Sequence, residues 1–278
     1  MKLLRLALGA FLVCIFFFST TTSLVSCTKT VTVHDTTIKT VRDTTIIQDS
    51  LYDLADGLIA YYNFNNGNLN DSSGWGNNIV FNNAVLASDR FGNAGNAFQF
   101  NGTTSYMQVA NSASLNPLGM SLMAIVKLNG FYTGESYGNQ ILMKGPADQA
   151  SGIYGLRVHP TSFDIGAPLD NTTEIFMGFY GDGAHTIIDS SVIVQTGTWY
   201  ILVCTFDGFQ TSLYVNGHLQ KTQIQSPAEF IANASDLYIG KTENTVFPYN
   251  FNGVIDEIRI YDKSLSPQLV KQFNNLTY

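Results

Sequence analysis

The sequence predicts an all-β chain of antiparallel strands closed by one short helix, and three observations predict it. First, residues 199–220 (W-Y-I-L-V-C-T-F-D-G-F-Q-T-S-L-Y-V-N-G-H-L-Q) alternate branched and aromatic residues around Asp207-Gly208 and Asn216-Gly217. Those dipeptides tolerate the positive φ angles of tight hairpin turns, so the stretch reads as two strands and the start of a third. Second, short runs of period two recur along the chain between clusters of Asn, Gly, Asp and Ser, the pattern of half-buried strands. Third, the one helix signature is C-terminal: Ser266 as N-cap, Pro267 at the first helical position, then residues 268–273.

Taken in order, residues 1–26 carry Lys2 and Arg5 and then an apolar run over 6–18. That run is too short and wrongly flanked for a lasting membrane span and reads as an export leader. It ends in Leu24-Val25-Ser26-Cys27, which resembles the lipobox of bacterial lipoproteins, and that resemblance makes Cys27 the lipidated N-terminus of the mature protein. Cys14 belongs to the leader and Cys204 alternates into a strand as a small core residue, which leaves Cys27 without a disulfide partner. Residues 27–53 contain V-H-D-T-T-I (33–38) and V-R-D-T-T-I (41–46). Two such copies are too few for a solenoid, and their β-branched residues stiffen the backbone, so the segment reads as an extended stalk with His34 in solvent.

The folded domain is expected over 54–278. G-L-I-A-Y-Y-N-F (57–64) is a strand, followed by the loop N-D-S-S-G-W-G-N-N (70–78). D-R-F-G-N-A (89–94) precedes the strand, turn and strand of F-Q-F-N-G-T-T-S-Y-M-Q-V (98–109), S-L-N-P (114–117) is a loop, and 120–128 is a strand. Residues 131–139 read as a loop exposing aromatics, and 175–180 and 185–193 as strands.

This series resembles the laminin G-like, concanavalin A-like lectin/glucanase jelly-roll domains of bacterial surface proteins. I-L-M-K-G (141–145), Y-G-L-R-V (154–158), L-Y-I-G-K (237–241) and F-N-G-V-I-D-E-I-R-I-Y (251–261) extend it in order, so that it covers residues 56–278. The resemblance implies a jelly-roll sandwich of two antiparallel sheets with a short helix after the last strand.

Charged residues are only 13% of the chain, so its surface is one of neutral hydrogen-bonding groups. Without Lys2 and Arg5, 12 basic residues face 21 acidic ones, a formal charge of −9. With no Lys/Arg cluster, such a chain is a poor partner for nucleic acid. Glycoside hydrolases of this architecture need two carboxylates facing one another across a cleft. Asp256 and Glu257 are adjacent, so strand alternation sends them to opposite faces, while Asp207 and Asp262 sit in turns for backbone reasons. No enzyme is expected. His34, His159, His185 and His218 are scattered, without metal-ligand spacing.

Alternation places Asp256 on one face with Val254 and Ile258, which calls for a partner or a ligated ion. By the resemblance, Asp256 would hold a structural calcium together with the backbone carbonyl of Gly102, an all-oxygen set; accepting hydrogen bonds from the backbone or pairing with an Arg is the other reading. Thr104 and Ser105 stand where many relatives carry a second acidic pair. The 14 Tyr and 19 Phe are first of all core material. Trp199 reads as core and Trp75 as part of a structural loop, while residues 131–139 and 247–251 mix aromatics with Asn. The expectation is an exported, membrane-anchored lipoprotein of the bacterial envelope, surface-exposed, with a non-catalytic carbohydrate-binding jelly roll on a lipid tether. A surface protein is the alternative partner and glycoside hydrolysis the alternative activity.

Overall fold

A computed structural model describes residues 13–15, 26–32, 38–43, 53–132, 139–145, 153–160, 174–181, 188–224 and 232–276. The chain divides into residues 1–53 and 54–278. In the first unit, β1 (Val13–Ile15), β2 (Ser26–Thr32) and β3 (Ile38–Asp43) form a three-stranded antiparallel sheet with β2 in the middle. The rest of the expected leader and stalk lies outside the described residues, as do His34 and His185.

The second unit begins with β4 (Leu58–Tyr62), β5 (Ile79–Asn82), β6 (Val85–Ser88), β7 (Ala94–Asn101), β8 (Met107–Val109) and β9 (Met120–Leu128). It continues through β10 (Gln140–Lys144), β11 (Ile153–Pro160), β12 (Glu174–Gly181) and β13 (Ile188–Ile193). The hairpins read from sequence are β14 (Trp199–Phe206), β15 (Gln210–Val215) and β16 (His218–Ile224); β17 (Leu237–Ile239), β18 (Asn252–Tyr261) and α1 (Pro267–Gln272) follow. Asn216 and Gly217 take φ of 50° and 71°, as a tight two-residue turn requires. Ser266 caps α1 by accepting a bond from the Leu269 amide.

One sheet runs β13-β12-β11-β10-β17-β8-β5 and the other β16-β15-β14-β9-β18-β7-β6, with β4 also paired to β18. Every pairing is antiparallel, as expected of a jelly-roll sandwich. Leu122, Ala124 and Val126 from β9 meet Leu142, Leu156 and Phe176 from the opposite sheet in one apolar core, each large side chain stabilising the fold by roughly 1.5–3 kcal/mol. The sheets come so close that a Cβ on Gly178 would lie 2.4 Å from Cys204 Sγ. That contact accounts for a small residue at 204, and burial pushes the Cys204 thiol up to about 12. The helix serves the other face of the eight-stranded sheet, where Phe273 packs against Tyr261 and beneath Arg259.

The candidate functional site

The site begins with a change of partner along β18. On one side β18 follows β9; on the other, residues 252–255 pair with β7 and 258–261 with β4. Asp256 and Glu257 fall between the two. There β18 also bulges: Ile255 pairs with Val126 and Glu257 with Ile125, which leaves Asp256 as the extra residue. A bulge breaks strict alternation. Both carboxylates therefore line one cleft instead of pointing to opposite faces, and Ile255 and Ile258 both enter the core while Val254 does not. This corrects the reading by alternation.

The cleft has a volume of about 240 Å³. One wall is the turn after β4, with Asn63, Asn65 and Asn66; another is the connection from β6 into β7, with Asp89, Phe91, Asn93 and Asn96. The first turn is built on left-handed residues, Phe64 at φ 53° and Asn66 at φ 56°, and the Asn66 amide donates to Asn96 Oδ1 at 2.9 Å. Asp89 organises the second. Its Oδ1 accepts from the Phe91 and Asn93 amides and its Oδ2 from the Asn93 and Asn96 side chains. Burial alone would raise the Asp89 carboxyl, but these bonds, led by Asn93, hold it below its ordinary value. Phe91 is left 47% exposed at the cleft, its ring 4.5 Å from the Arg90 guanidinium.

Behind the cleft lies a balanced set of charges. Arg90 Nη1 donates to Asp256 Oδ2 at 2.7 Å and stands 3.8 Å from Glu257, while Arg259 Nε donates to Glu257 Oε1 at 2.5 Å. All four side chains are at most 10% exposed, and Arg259 also lies 4.2 Å over the Tyr61 ring. Burial raises the Asp256 carboxyl from its ordinary value, Arg90 opposes the rise and Glu257 adds to it. Arg90 engages Oδ2 of Asp256, through Nη1 and its own amide, and Arg259 engages Oε1 of Glu257, so each carboxylate carries its own counter-charge.

Gly102, the expected partner of Asp256, lies elsewhere. Its neighbour Asn101 pairs with Asn252, four residues along β18 from Asp256, or about 13 Å at strand spacing. The Gly102 amide donates to the Phe251 carbonyl, and a Cβ there would collide with Asn252. Asp256 and Gly102 do not fit one calcium ion, and the arginine reading of Asp256 is the one observed. At the neighbouring turn, Asn101 Oδ1 receives the amides of Thr103, Thr104 and Ser105. Among the described residues no three His, Cys, Asp or Glu side chains converge as a metal centre.

Other expectations divide. Trp75 is 61% exposed; its loop is held instead by Asp71, which accepts from the amides of Tyr61, Ser73 and Asn77. Trp199 is half-buried under Lys127 rather than in the core. Asp207 serves its turn, accepting from the Phe209 and Gln210 amides. His159 is buried against Asp189 at 3.0 Å. The two aromatic loops do meet: Tyr249 lies 6.2 Å from Phe247 and 6.4 Å from Tyr132, with residues 133–138 outside the described part.

Residues 101–271 match the family model for the concanavalin A-like lectin/glucanases superfamily. No curated protein sequence matches the chain. Among solved structures, the chain is similar to domain 4 of AbnA, a GH43 extracellular arabinanase from Geobacillus stearothermophilus, in complex with arabinotriose (TM-score 0.58, 21% identity, 78% of this chain and 98% of that one). It is also similar to the binding domain of botulinum neurotoxin DC, in complex with SialylT (TM-score 0.58, 14% identity, 80% of this chain and 52% of that one). The same domain with rat synaptotagmin II aligns at TM-score 0.57 and 13% identity, over 80% of this chain and 52% of that one. This chain thus spans about half of the neurotoxin domain.

Proposed function

Because the chain belongs to the concanavalin A-like lectin/glucanase superfamily, we propose that it is a non-catalytic carbohydrate-binding module of an exported bacterial envelope lipoprotein. Lipidated Cys27 is its membrane tether, residues 27–53 the stalk, and the cleft beside β18 the sugar site. The observation that carries this reading is the lining of the cleft. Asparagine amides offer donors and acceptors without charge, and a half-exposed aromatic ring stands beside them, the combination that grips a polyhydroxylated ring on its edge and its apolar face. The volume suits a single sugar unit and lies below that of drug-sized pockets. Domain 4 of AbnA, solved with arabinotriose, supports the ligand class. Glycoside hydrolysis is disfavoured, because the guanidinium groups of Arg90 and Arg259 occupy Asp256 and Glu257.

Two experiments test this. A glycan array probed with the full chain in detergent micelles should give selective binding that Phe91→Ala weakens; binding to no glycan, or binding of every glycan indifferent to Phe91, overturns the sugar site in the cleft. Cys27→Ala should release the protein from membranes, and full membrane partitioning of that variant overturns the lipid tether. A protein ligand is the second reading. It is favoured by the exposed Val80, Val85 and Leu86 on the edge strands β5 and β6 and by the neurotoxin domain solved with synaptotagmin II.

A further inference from the structure

Three aromatic rings line up on the seven-stranded sheet, on the face turned away from the core. Phe81 of β5 pairs in register with Gln108 of β8, which pairs with Tyr238 of β17. The alternate residues Met107, Val109, Leu237 and Ile239 point into the core, and the bulge between Ile79 and Phe81 sends Ile79 there while Phe81 faces out. Phe81 and the Tyr106 ring stack at 4.6 Å, and Tyr106 lies 6.1 Å from Tyr238. Phe81 is 40% exposed.

A cation completes the row. Lys241 Nζ sits 3.9 Å from the Tyr106 ring centre and 5.0 Å from that of Tyr238, and among the described residues no hydrogen-bond acceptor or carboxylate is within bonding reach of it. The loop that carries it is closed on itself. The Phe251 amide donates to the Gly240 carbonyl and the Thr242 amide to that of Pro248, both at 2.8 Å, and Asn244 Oδ1 accepts from the Val246 and Phe247 amides. Such a self-packed loop holds its lysine in place before any ligand arrives. Two polar groups flank the rings. Gln108 is oriented by donating to Asp236 at 2.5 Å, and Glu243 Oε2 is buried without a hydrogen-bond partner among the described residues. Burial pulls the Lys241 ammonium below its ordinary value, opposed by Glu243; a partly desolvated cation pairs more strongly with an anion than one in water.

We propose that Phe81, Tyr106, Tyr238 and Lys241 form a second carbohydrate site, which takes a glycan bearing a carboxylate. The apolar face of a pyranose stacks on Phe81, and the carboxylate pairs with Lys241 Nζ. Stacking alone accepts any sugar, so the lysine is what selects the acidic one. This site lies on the seven-stranded sheet and the cleft on the other, so either can fail without the other.

The test titrates the full chain in detergent micelles with oligogalacturonate, glucuronate-containing hyaluronan oligosaccharide and sialyllactose, with neutral galacto-oligosaccharide as control. At least one acidic probe should bind saturably and more tightly than the control. Lys241→Met should weaken it about tenfold, the scale of one charge-assisted contact, while Lys241→Arg stays near the parent value. Phe81→Ala should weaken acidic and neutral probes alike. The proposal is overturned if no acidic probe binds saturably, or if Lys241→Met binds it as tightly as the parent.

Discussion

Arg90 Nη1 reaches Asp256 Oδ2 at 2.7 Å across 166 residues of chain, and the same nitrogen stands 3.8 Å from Glu257. One guanidinium therefore ties the connection between β6 and β7 to the bulge of β18. Removing it leaves a buried carboxylate unmatched, which costs about 3–5 kcal/mol. Urea unfolding should show Arg90→Ala losing stability on that scale, and Arg90→Ala/Asp256→Ala losing less than Arg90→Ala alone. A loss in the double variant equal to the sum of the two single losses would mean that the two residues do not interact.

The same pair bears on calcium. The charge of Asp256 is already matched by Arg90, and Gly102 lies beyond Asn101, whose partner Asn252 is four residues along the strand from Asp256. Thermal unfolding should give the same melting temperature in millimolar calcium and in chelator. A rise with calcium that Asp256→Ala removes would contradict the pairing.

For the cleft, Phe91→Ala and Asn66→Ala should each weaken binding of a glycan found on the array by about tenfold, since one stacked ring or one amide contact contributes on the order of 1.4 kcal/mol. Phe91 borders solvent at the cleft, so the melting temperature of Phe91→Ala should hardly move, whereas Asn66→Ala also places alanine at a positive φ and should lower it somewhat. Calorimetric titration separates the two effects, and an unchanged affinity in both variants would place the sugar elsewhere.

Lys144 predicts a pH dependence. Its side chain is fully buried, and Nζ donates to Asn116 Oδ1, Asn233 O and Asn233 Oδ1. Burial lowers it from 10.5 to about 8, against the opposing charges of Asp236 and Glu243. Between those values the unfolded chain binds more protons than the folded one, so unfolding free energy rises with pH. The penalty is present in full below pH 8 and is lifted towards pH 10.5. Relative to Lys144→Met, the parent should gain stability between pH 8 and 10 in denaturant titrations; parallel curves would show that Lys144 titrates normally.

Gly178 tests the sandwich itself. With a Cβ there 2.4 Å from Cys204 Sγ, Gly178→Ala must push the sheets apart or displace the thiol, at about 1–3 kcal/mol. Unfolding of Gly178→Ala should show that loss, and Gly178→Ala/Cys204→Ala should recover part of it.

Local features were legible in the sequence. The turns near Asp207-Gly208 and at Asn216-Gly217 and the Ser266 cap depend on neighbours a few residues away; the second turn and the cap are as expected, while the first centres one residue on, at Gly208-Phe209. β5 and β6 were not anticipated, because Ile79–Asn82 and Val85–Ser88 have little alternation and four exposed apolar residues. The cleft was illegible for another reason. It exists because β18 changes partners at Asp256, and nothing within β18 announces either the change or the bulge that turns two adjacent carboxylates into one lining. D-R-F-G and I-D-E-I-R-I-Y were both recognised, but their meeting across the fold was not.

That exchange of neighbours has a consequence for variation. Loops of a sandwich ordinarily emerge at its rims, yet here two of them, 63–67 and 89–96, border the gap left in the middle of a sheet. Lengthening a surface loop costs little, about 0.6 kcal/mol per doubling. Descendants of this chain can thus reshape the recess by inserting residues on either side of it, while β18 and its charges stay as they are.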